Sequence, residues 1–363
     1  MKKRKRVLIV LGFGELGGAE RQAIYLAEGL KNSGHRVSVL NFGPPGRANR
    51  MLDQSGIPNS SIVIRIGGKR KHLRRDLRKL YFRIIRARPH VVIPYTRHPN
   101  VYCNALGPFM PFTRVAWNQR DEGRELTREP VEEYAIRKAR WIISNSTPGK
   151  QALIEKYALN PGRVILIRNG VAPVEENAAS KHASGSLVHI GMIANLHGSK
   201  DHSTLIKGWH LFKQRHPAHR FQLLIAGRDD GLLSALRKQA EELGVAGSVT
   251  FLGQVTAIHD FIRRLHIGVH SSLNEGCPNA ILEMMSHGLP VIANAIPGNM
   301  DALGTGYPLY FQTGNSQELA DKLGLLIGNE SLAASLGEQN RRRARNGFSI
   351  QQMISNYQKL LHL

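Results

Sequence analysis

Two glutamates lie eight positions apart, on either side of a turn sequence. Residues 275–285 read Glu-Gly-Cys-Pro-Asn-Ala-Ile-Leu-Glu-Met-Met. This pattern predicts a helix that is capped at its start by Asn279 or its neighbours and that ends before residues 288–290, Gly-Leu-Pro. The amino end of a helix binds phosphate, and carboxylates accept hydrogen bonds from hydroxyl groups. The spacing therefore suits a nucleoside diphosphate, with Glu283 on the ribose and Glu275 on further hydroxyls.

Two glutamates at this spacing also occur on ordinary solvated helices, so the pair alone identifies no function. The longer pattern from Glu275 to Val291, Glu-Gly-x-Pro-Asn-Ala-x-x-Glu-x-x-x-x-Gly-x-Pro-Val, is far more specific. It resembles the Glu-x7-Glu element of the retaining glycosyltransferases of family 4. The resemblance implies the α/β class and the GT-B fold: two Rossmann-like domains with doubly wound parallel sheets, facing a cleft. It also implies that the last helix crosses back to the first domain.

The resemblance assigns the donor site residue by residue. Lys200 occupies the position of a lysine that grips the donor phosphates in the family, whereas Asn195 stands where the family has an arginine, with His197 the nearest other cation. Arg228 lies in a loop that is near the nucleotide in the family. We expect the diphosphate at Lys200 and at a segment that follows Glu275, namely Gly276, Cys277, Pro278, Asn279 and Ala280. No metal site is predicted, because the two aspartates after Arg228 lack further oxygen ligands nearby.

Glycines follow the first predicted strand. Residues 12–17, Gly-Phe-Gly-Glu-Leu-Gly, match the dinucleotide pattern, but the next strand, residues 37–42, lacks the acidic residue that would hold a ribose, so NAD is not predicted. Gly17 and Gly18 instead resemble the Gly-Gly-x-Glu loop that borders the cleft in family 4. There, glycines allow a ligand to approach the backbone closely.

Two further residues are candidates for the acceptor side. Members of the family often place a histidine of the first domain near the sugar carbon, and the corresponding loop contains His98. Arg120 lies in the polar run Asn-Gln-Arg-Asp-Glu-Gly at the end of a predicted strand, a composition that fits either a ligand contact or a surface turn. The candidate catalytic residues are therefore Glu275, His98 and Arg120.

The positive charge is concentrated in the first half of the chain. The net charge is +23, of which residues 1–180 carry +19 and residues 181–363 carry +4. The densest block, residues 69–86, has apolar residues at helical spacing, which predicts an amphipathic helix packed on a sheet. The basic face of this helix is either an ordinary solvated surface or a surface that rests on an anionic membrane. An acidic glycan and nucleic acid are the other polyanions that the basic half of the chain could bind. Nucleic acid is disfavoured, because aromatic platforms and recognised modules are missing.

Length and alternating apolar runs predict two domains. The 363 residues exceed one ordinary core, and strands separated by helices indicate parallel sheets. With the roles that the resemblance implies, we expect a basic acceptor-binding domain at 1–171, a linker at 172–186, a nucleotide-sugar-binding domain at 187–346 and a returning helix at 347–363. Two widely separated cysteines indicate a reducing compartment, and the first apolar run, residues 7–11, is too short for a secretory signal.

The resemblance to family 4 implies a retaining, hexosyl-type glycosyltransferase that uses a UDP- or GDP-sugar and needs no cofactor. We expect a glycan or lipid-linked acceptor in cell-surface polysaccharide assembly. The predicted location is cytoplasmic and peripheral on the inner face of the plasma membrane, as a monomer or weak oligomer without nucleic acid. The alternatives are a GT-B-fold binding protein with a decayed donor site and, on charge alone, a basic nucleic-acid-binding protein.

Overall fold

The computed structural model describes residues 4–65, 70–174, 187–217 and 221–363, without the side chains of Arg70 and Lys71. The chain forms two compact units: unit 1 comprises Met1–Gly170 and Ile350–Leu363, and unit 2 comprises Val171–Ser349. Most of the predicted linker, from residue 175 to residue 186, lies outside the described residues, as does Lys69, the first residue of the basic block.

Unit 1 is built on a seven-stranded sheet with the strand order β3-β2-β1-β4-β5-β6-β7, in which every neighbouring pair is parallel. Its elements are β1 (Arg6–Leu11), α1 (Gly18–Asn32), β2 (Arg36–Phe42), α2 (Arg47–Gln54), β3 (Asn59–Ile62), α3 (Arg70–Ala87), β4 (Val91–Pro94), α4 (Arg97–Leu106), β5 (Arg114–Gln119), α5 (Pro130–Lys138), β6 (Trp141–Ser144), α6 (Thr147–Tyr157), β7 (Val164–Leu166) and the final helix α14 (Ile350–Leu361).

Helices cover both faces of this sheet, which is why a strand such as β1 reads as a continuous apolar run, Val-Leu-Ile-Val-Leu. One apolar core lies on each face. The final helix α14 completes one of them with Met353, Tyr357 and Leu361. It packs closely on α1, since a Cβ atom at Gly29 would lie 2.6 Å from Cγ1 of Ile354. The chain therefore returns to unit 1, as predicted.

Unit 2 is built on a six-stranded parallel sheet with the order β10-β9-β8-β11-β12-β13 and a single apolar core cluster of its own. Its elements are β8 (Val188–Ile193), α7 (His202–Arg215), β9 (Phe221–Ala226), α8 (Leu233–Glu242), β10 (Val249–Gly253), α9 (Ile258–Arg263), β11 (Ile267–His270), α10 (Asn279–Ser286), β12 (Val291–Asn294), α11 (Pro297–Leu303), β13 (Tyr310–Phe311), α12 (Ser316–Ile327) and α13 (Glu330–Gly347).

The predicted α/β class, with two doubly wound parallel sheets, is confirmed. The final helix begins at Ile350 rather than at residue 347, because α13 continues to Gly347. Across the described parts of the chain, every helix is too short or too polar to cross a bilayer.

The strand order reverses once in each sheet. In unit 1, β1 lies between β2 and β4, and in unit 2, β8 lies between β9 and β11. The connections that leave two neighbouring strands at such a switch point run to opposite faces of the sheet, which opens a crevice at the carboxyl ends of the strands. A ligand site is therefore expected in the loops after β8 and β11 of unit 2 and in the loops after β1 and β4 of unit 1.

Candidate active site

The switch point of unit 2 joins two loops into one platform. Lys200, in the loop after β8, forms an antiparallel bridge with Ser272, in the loop after β11. Leu273 also donates its N–H to the carbonyl of Ser199, at 2.9 Å. Backbone pairing between the loops fixes the relative positions of the side chains that they carry.

Glu275 is the centre of this platform. Its Oε1 atom accepts hydrogen bonds from Lys200 Nζ, in an ion pair, and from Nε2 of His270, at 2.9 Å. Burial alone would raise the pKa of Glu275, but the charge of Lys200 and the His270 hydrogen bond outweigh it and lower the pKa to about 2. The carboxylate is therefore ionised at neutral pH, and Lys200 is held beside it.

The segment after Glu275 opens the helix α10. Pro278, the neighbour of Asn279, is the residue at the N-cap position, and its side chain makes no capping hydrogen bond. The reason is chemical: a proline side chain offers no hydrogen-bond acceptor. Proline also has no N–H, so Pro278 shapes the segment but donates no hydrogen bond to a phosphate. The amides of this stretch belong to Gly276, Cys277, Asn279 and Ala280.

Gly298, at the start of α11, lets another backbone come close to this segment. A Cβ atom at Gly298 would lie 2.7 Å from the carbonyl oxygen of Gly276. Glu283, one turn into α10, is half-buried, and its own carbonyl accepts hydrogen bonds from Nδ1 of His287 and Oγ of Ser286, each at 2.8 Å. The backbone that carries both glutamates is thus held in place.

Asn195 and Arg228 brace the neighbouring loops. Oδ1 of Asn195 accepts the N–H of Arg228 at 3.2 Å, and the Arg228 guanidinium binds the carboxylate of Asp230 at 2.7 and 3.2 Å. His197 is exposed and its Nδ1 atom lies 3.1 Å from Oγ of Ser199. Among the residues predicted for the donor phosphates, Lys200 is the one that the fold places against Glu275.

The corresponding switch point of unit 1 brings Gly12 against Thr96. A Cβ atom at Gly12 would lie 2.6 Å from Oγ1 of Thr96, and Thr96 adopts φ 68°. A positive φ is strained for a β-branched residue, at a cost of about 1–3 kcal/mol. Thr96 immediately precedes α4, whose first turn presents His98. Burial and then the charge of Arg97 lower the pKa of His98, so the imidazole is neutral at pH 7.

Arg120 is anchored at the end of β5. Its guanidinium lies 4.9 Å from the centre of the Tyr95 ring and donates to Oδ1 of Asn169 at 2.5 Å. Its buried Nε atom has no hydrogen-bond partner among the described residues. The position of the Arg120 guanidinium is therefore set by Tyr95 and Asn169.

Glu20 connects the glycine loop to this cluster. Its carboxylate accepts the N–H of Gly17 at 3.2 Å, reaching back over the first turn of α1, which begins at Gly18. Burial raises the pKa of Glu20, while backbone hydrogen bonds and the charge of Arg120 oppose that rise. Glu20 therefore fixes Gly17 and belongs to the electrostatic surroundings of Arg120.

The sequence did not assign Glu20 or His270. Glu20 is the acidic residue of the Gly-Gly-x-Glu pattern, which was the sign that could have identified it. His270 is the last residue of the buried strand β11. Its hydrogen bond to Glu275 forms because the loop after β11 folds back towards the end of that strand. In the described parts of the chain, no cluster of three or more His, Cys, Asp or Glu residues has the geometry to hold a metal ion, and neither Cys103 nor Cys277 forms a disulfide.

The structure divides the predicted site residues between its units. Unit 2 carries the predicted donor residues, with Lys200 and Glu275 in direct contact beside the start of α10. Unit 1 carries Gly17, Gly18, His98 and Arg120. Within each unit the residues gather at the switch point of the sheet, as expected for ligand sites in open parallel sheets.

Comparisons with known proteins agree with this architecture. The family model described as "Glycosyltransferase Family 4" matches residues 16–175, and the model described as "Glycosyl transferases group 1" matches residues 187–329. A protein of Haemophilus influenzae named as an uncharacterized glycosyltransferase is 22% identical over 99% of this chain and 100% of its own length. The Vi polysaccharide biosynthesis protein VipC/TviE of Salmonella typhi is 23% identical over 47% of this chain, which spans only 30% of that relative.

The crystal structure of Anabaena Alr3699/HepE in complex with UDP and glucose has the same fold, with a TM-score of 0.84. It is 21% identical and covers 99% of this chain and 100% of its own. The two family models together span most of the sequence and correspond to unit 1 and unit 2. The chain belongs to the family 4-type glycosyltransferases and has the GT-B fold.

Proposed function

We propose that this protein transfers a hexose-type sugar from a nucleotide-sugar donor to a glycan or lipid-linked acceptor, with retention of configuration, in cell-surface polysaccharide assembly. The observation that carries the proposal is the contact of Lys200 with Glu275 at the switch point of unit 2, beside the first turn of α10. It combines a cation, a carboxylate and a helix N-terminus in one pair of loops. The UDP complex of the structural neighbour and the polysaccharide relative support the donor class and the pathway.

Lys200 is suited to bind the diphosphate. A lysine ammonium has three donors, and the ion pair with Glu275 uses one of them, so two remain for phosphate oxygens. The amino end of α10 adds backbone amides and the positive end of the helix dipole. Because these groups are fixed, they stabilise the negative charge that develops on the leaving diphosphate without having to reorganise. In this proposal the transfer requires neither a metal ion nor a cofactor.

The two glutamates then divide the hydroxyl groups of the donor. Glu283 lies one turn into α10 and would accept hydrogen bonds from the ribose. Glu275 is ionised and fixed by Lys200 and His270, so its second oxygen would accept hydrogen bonds from the donor sugar. A rigid acceptor of this kind orients the sugar for the reaction.

The acceptor side of the proposal rests on unit 1. The lowered pKa of His98 keeps its imidazole neutral at pH 7, and a neutral imidazole accepts a hydrogen bond from a hydroxyl group. Arg120 is held by Asn169 and Tyr95 with one buried N–H donor unused among the described residues. These two groups would bind the acceptor, with His98 nearest the reacting hydroxyl.

A thermal-shift panel of UDP, GDP and ADP with their common sugar conjugates tests the donor site. A ligand that binds only the native state raises its stability by mass action. We expect one nucleotide to raise the melting temperature, and the Glu283→Ala variant to lose that shift. Glu242→Ala, at an exposed glutamate of α8, is the matched control and should keep it. NMR of the anomeric proton of the product then reports whether the configuration is retained.

One alternative is a GT-B-fold binding protein with a decayed donor site. It is favoured by Asn195, which stands at the position of the family's arginine and braces the N–H of Arg228 instead of supplying a cation. If no nucleotide or nucleotide sugar shifts the melting temperature of the wild-type protein, this alternative replaces the proposal.

A further inference from the structure

Unit 1 exposes aromatic rings next to its most basic helix. Phe82, on α3, is 61% exposed, and Phe109 and Phe112 are 64% and 91% exposed. The latter two lie in the segment 107–112, Gly-Pro-Phe-Met-Pro-Phe, which carries no charge. Three large apolar side chains left in water on one protein are a sign of an interaction surface when they are adjacent to one another.

Hydrogen bonds place that segment alongside α3. The hydroxyl of Tyr81 donates to the carbonyl of Phe109 at 3.3 Å, and the Tyr81 and Phe82 rings are 5.4 Å apart. At the other end of the segment, Oγ1 of Thr113 donates to the carbonyl of Pro89 at 2.9 Å, just beyond the end of α3. The backbone of the segment 107–112 is therefore held beside the carboxyl-terminal half of α3, the half that carries Phe82.

Three of the four helix neighbours of Phe82 are cations. Residues three and four positions from Phe82 are its neighbours on the helix surface, and they are Arg78, Lys79, Ile85 and Arg86, all of them exposed. Further exposed cations of α3 are Arg74, Arg75 and Arg83.

The only carboxylate of α3 does not face this surface. Asp76 is buried, and the guanidinium of Arg65 binds both of its oxygens at 2.9 Å. The hydrogen bonds from Arg65 lower the pKa of Asp76 to about 2, so the pair stays charged and closed on itself. The exposed face of α3 is consequently positive along its length.

We propose that the exposed face of α3 from Arg74 to Arg86, together with the segment 107–112, docks unit 1 on an anionic lipid bilayer. The cations would lie among the headgroups, while Phe82, Phe109 and Phe112 insert into the interface. A soluble polyanion would need the cations but would leave the rings in water, and a purely apolar protein partner would leave the cations unpaired. A bilayer with anionic headgroups matches both features at once. This inference does not depend on the identity of the donor or on the transfer reaction.

Flotation with lipid vesicles tests whether the cations of α3 bind anionic headgroups. We expect the full chain to float with vesicles of phosphatidylcholine and phosphatidylglycerol, to release them as salt is raised, and to ignore vesicles of phosphatidylcholine alone. Removing two cations in Arg78→Gln/Arg86→Gln should weaken binding about 30-fold, at about 1 kcal/mol for each cation. The control Arg36→Gln/Arg50→Gln removes two exposed cations elsewhere in unit 1 and should bind as the wild type does.

The aromatic part separates a bilayer from other occupants. Phe109→Ser/Phe112→Ser should reduce flotation at least tenfold, whereas Val131→Ser/Tyr134→Ser, which changes two exposed apolar residues on α5, should not. Equal binding to neutral vesicles overturns the proposal. The proposal is also overturned if the Phe109→Ser/Phe112→Ser variant floats as well as the wild type, which would indicate a soluble polyanion as the partner. It is overturned as well if sedimentation analysis shows a dimer of the wild type that this variant no longer forms. The circular dichroism spectrum and the melting temperature of all four variants should match those of the wild type, which shows that unit 1 remains folded.

Discussion

Oε1 of Glu275 lies 2.9 Å from Nε2 of His270, the buried residue that ends β11 five positions earlier. The same oxygen also accepts a hydrogen bond from the ammonium group of Lys200, which lies in the loop after β8. A single carboxylate oxygen thus ties a strand end to two loops that are more than seventy residues apart in sequence. Protonating that carboxylate would break the ion pair and weaken the hydrogen bond, which makes the platform sensitive to acid.

The first prediction concerns stability in acid. The pKa of Glu275 is about 2 in the folded protein and 4.5 ordinarily, so the folded state favours the ionised form. The stability that this group contributes is complete above about pH 4.5 and is lost as the pH falls towards 2. The difference in unfolding free energy between the wild type and Glu275→Gln should therefore shrink over that range. Urea denaturation at a series of pH values measures it.

Glu242→Gln is the control for this experiment. Glu242 forms an exposed pair with Lys238 at 3.6 Å on α8, and an exposed ion pair contributes little to the free energy of unfolding. Its difference from the wild type should be flat across the same range. If the difference in unfolding free energy between the wild type and Glu275→Gln also stays constant with pH, the ion pair with Lys200 does not hold the carboxylate ionised.

The second prediction separates phosphate binding from recognition of the nucleoside. Lys200→Gln should weaken UDP binding about 10- to 100-fold, since a hydrogen bond to a charged group contributes about 1.5–3 kcal/mol. The binding of uridine should change little, because the lysine would contact only phosphate. Isothermal titration with both ligands, on the nucleotide that the thermal-shift panel identifies, measures the ratio. An equal loss for nucleoside and diphosphate would mean that Lys200 shapes the pocket instead.

The third prediction concerns Arg97, the residue before His98. Arg97 Nε binds the fully buried Glu132 at 2.8 Å, and its other end binds the exposed Glu129 at 3.0 Å. Arg97→Met would leave Glu132 buried without its cation, so the free energy of unfolding should fall by about 2 kcal/mol or more. Glu129→Gln should cost less than about 1 kcal/mol.

The same variant has a second consequence for His98. Because the charge of Arg97 helps to lower the pKa of His98, removing that charge should raise the pKa. NMR titration of the His98 ring protons reports it. An unchanged pKa would mean that burial alone sets the protonation of this histidine.

The fourth prediction concerns the contact between α1 and α14. Gly29→Ala would gain up to about 1 kcal/mol from helix propensity, but it would force a methyl group into Ile354, and overpacking costs about 1–3 kcal/mol. We expect a net loss of stability that Ile354→Ala in the same protein partly relieves. A double-mutant cycle by urea denaturation measures the coupling. Gly324→Ala in α12, where the nearest atom is 3.4 Å away, should be neutral or stabilising.

Much of the fold could be predicted because it depends on patterns of residues that are close together in sequence. Apolar runs separated by helical periodicities gave strands such as β1 and helices such as α1, and strands that alternate with helices pack into parallel sheets. The motif from Glu275 to Val291 identified the family for the same reason, since its glycine, proline and glutamates are close together in sequence. The start of α10 follows the same local pattern, since Pro278, the neighbour of Asn279, occupies its N-cap position.

The sequence by itself determined the elements, the family and most of the candidate residues of this protein. Only the tertiary structure decided which of them meet: Lys200 and His270 with Glu275, Glu20 with the charge of Arg120, and Tyr357 with Asn118, 239 residues away and 3.1 Å apart. The physical reason is that a local pattern fixes the period and the buried face of an element, but not its neighbours. Strand order follows from packing between distant segments, and the switch points at which both sites lie exist only after each sheet has formed.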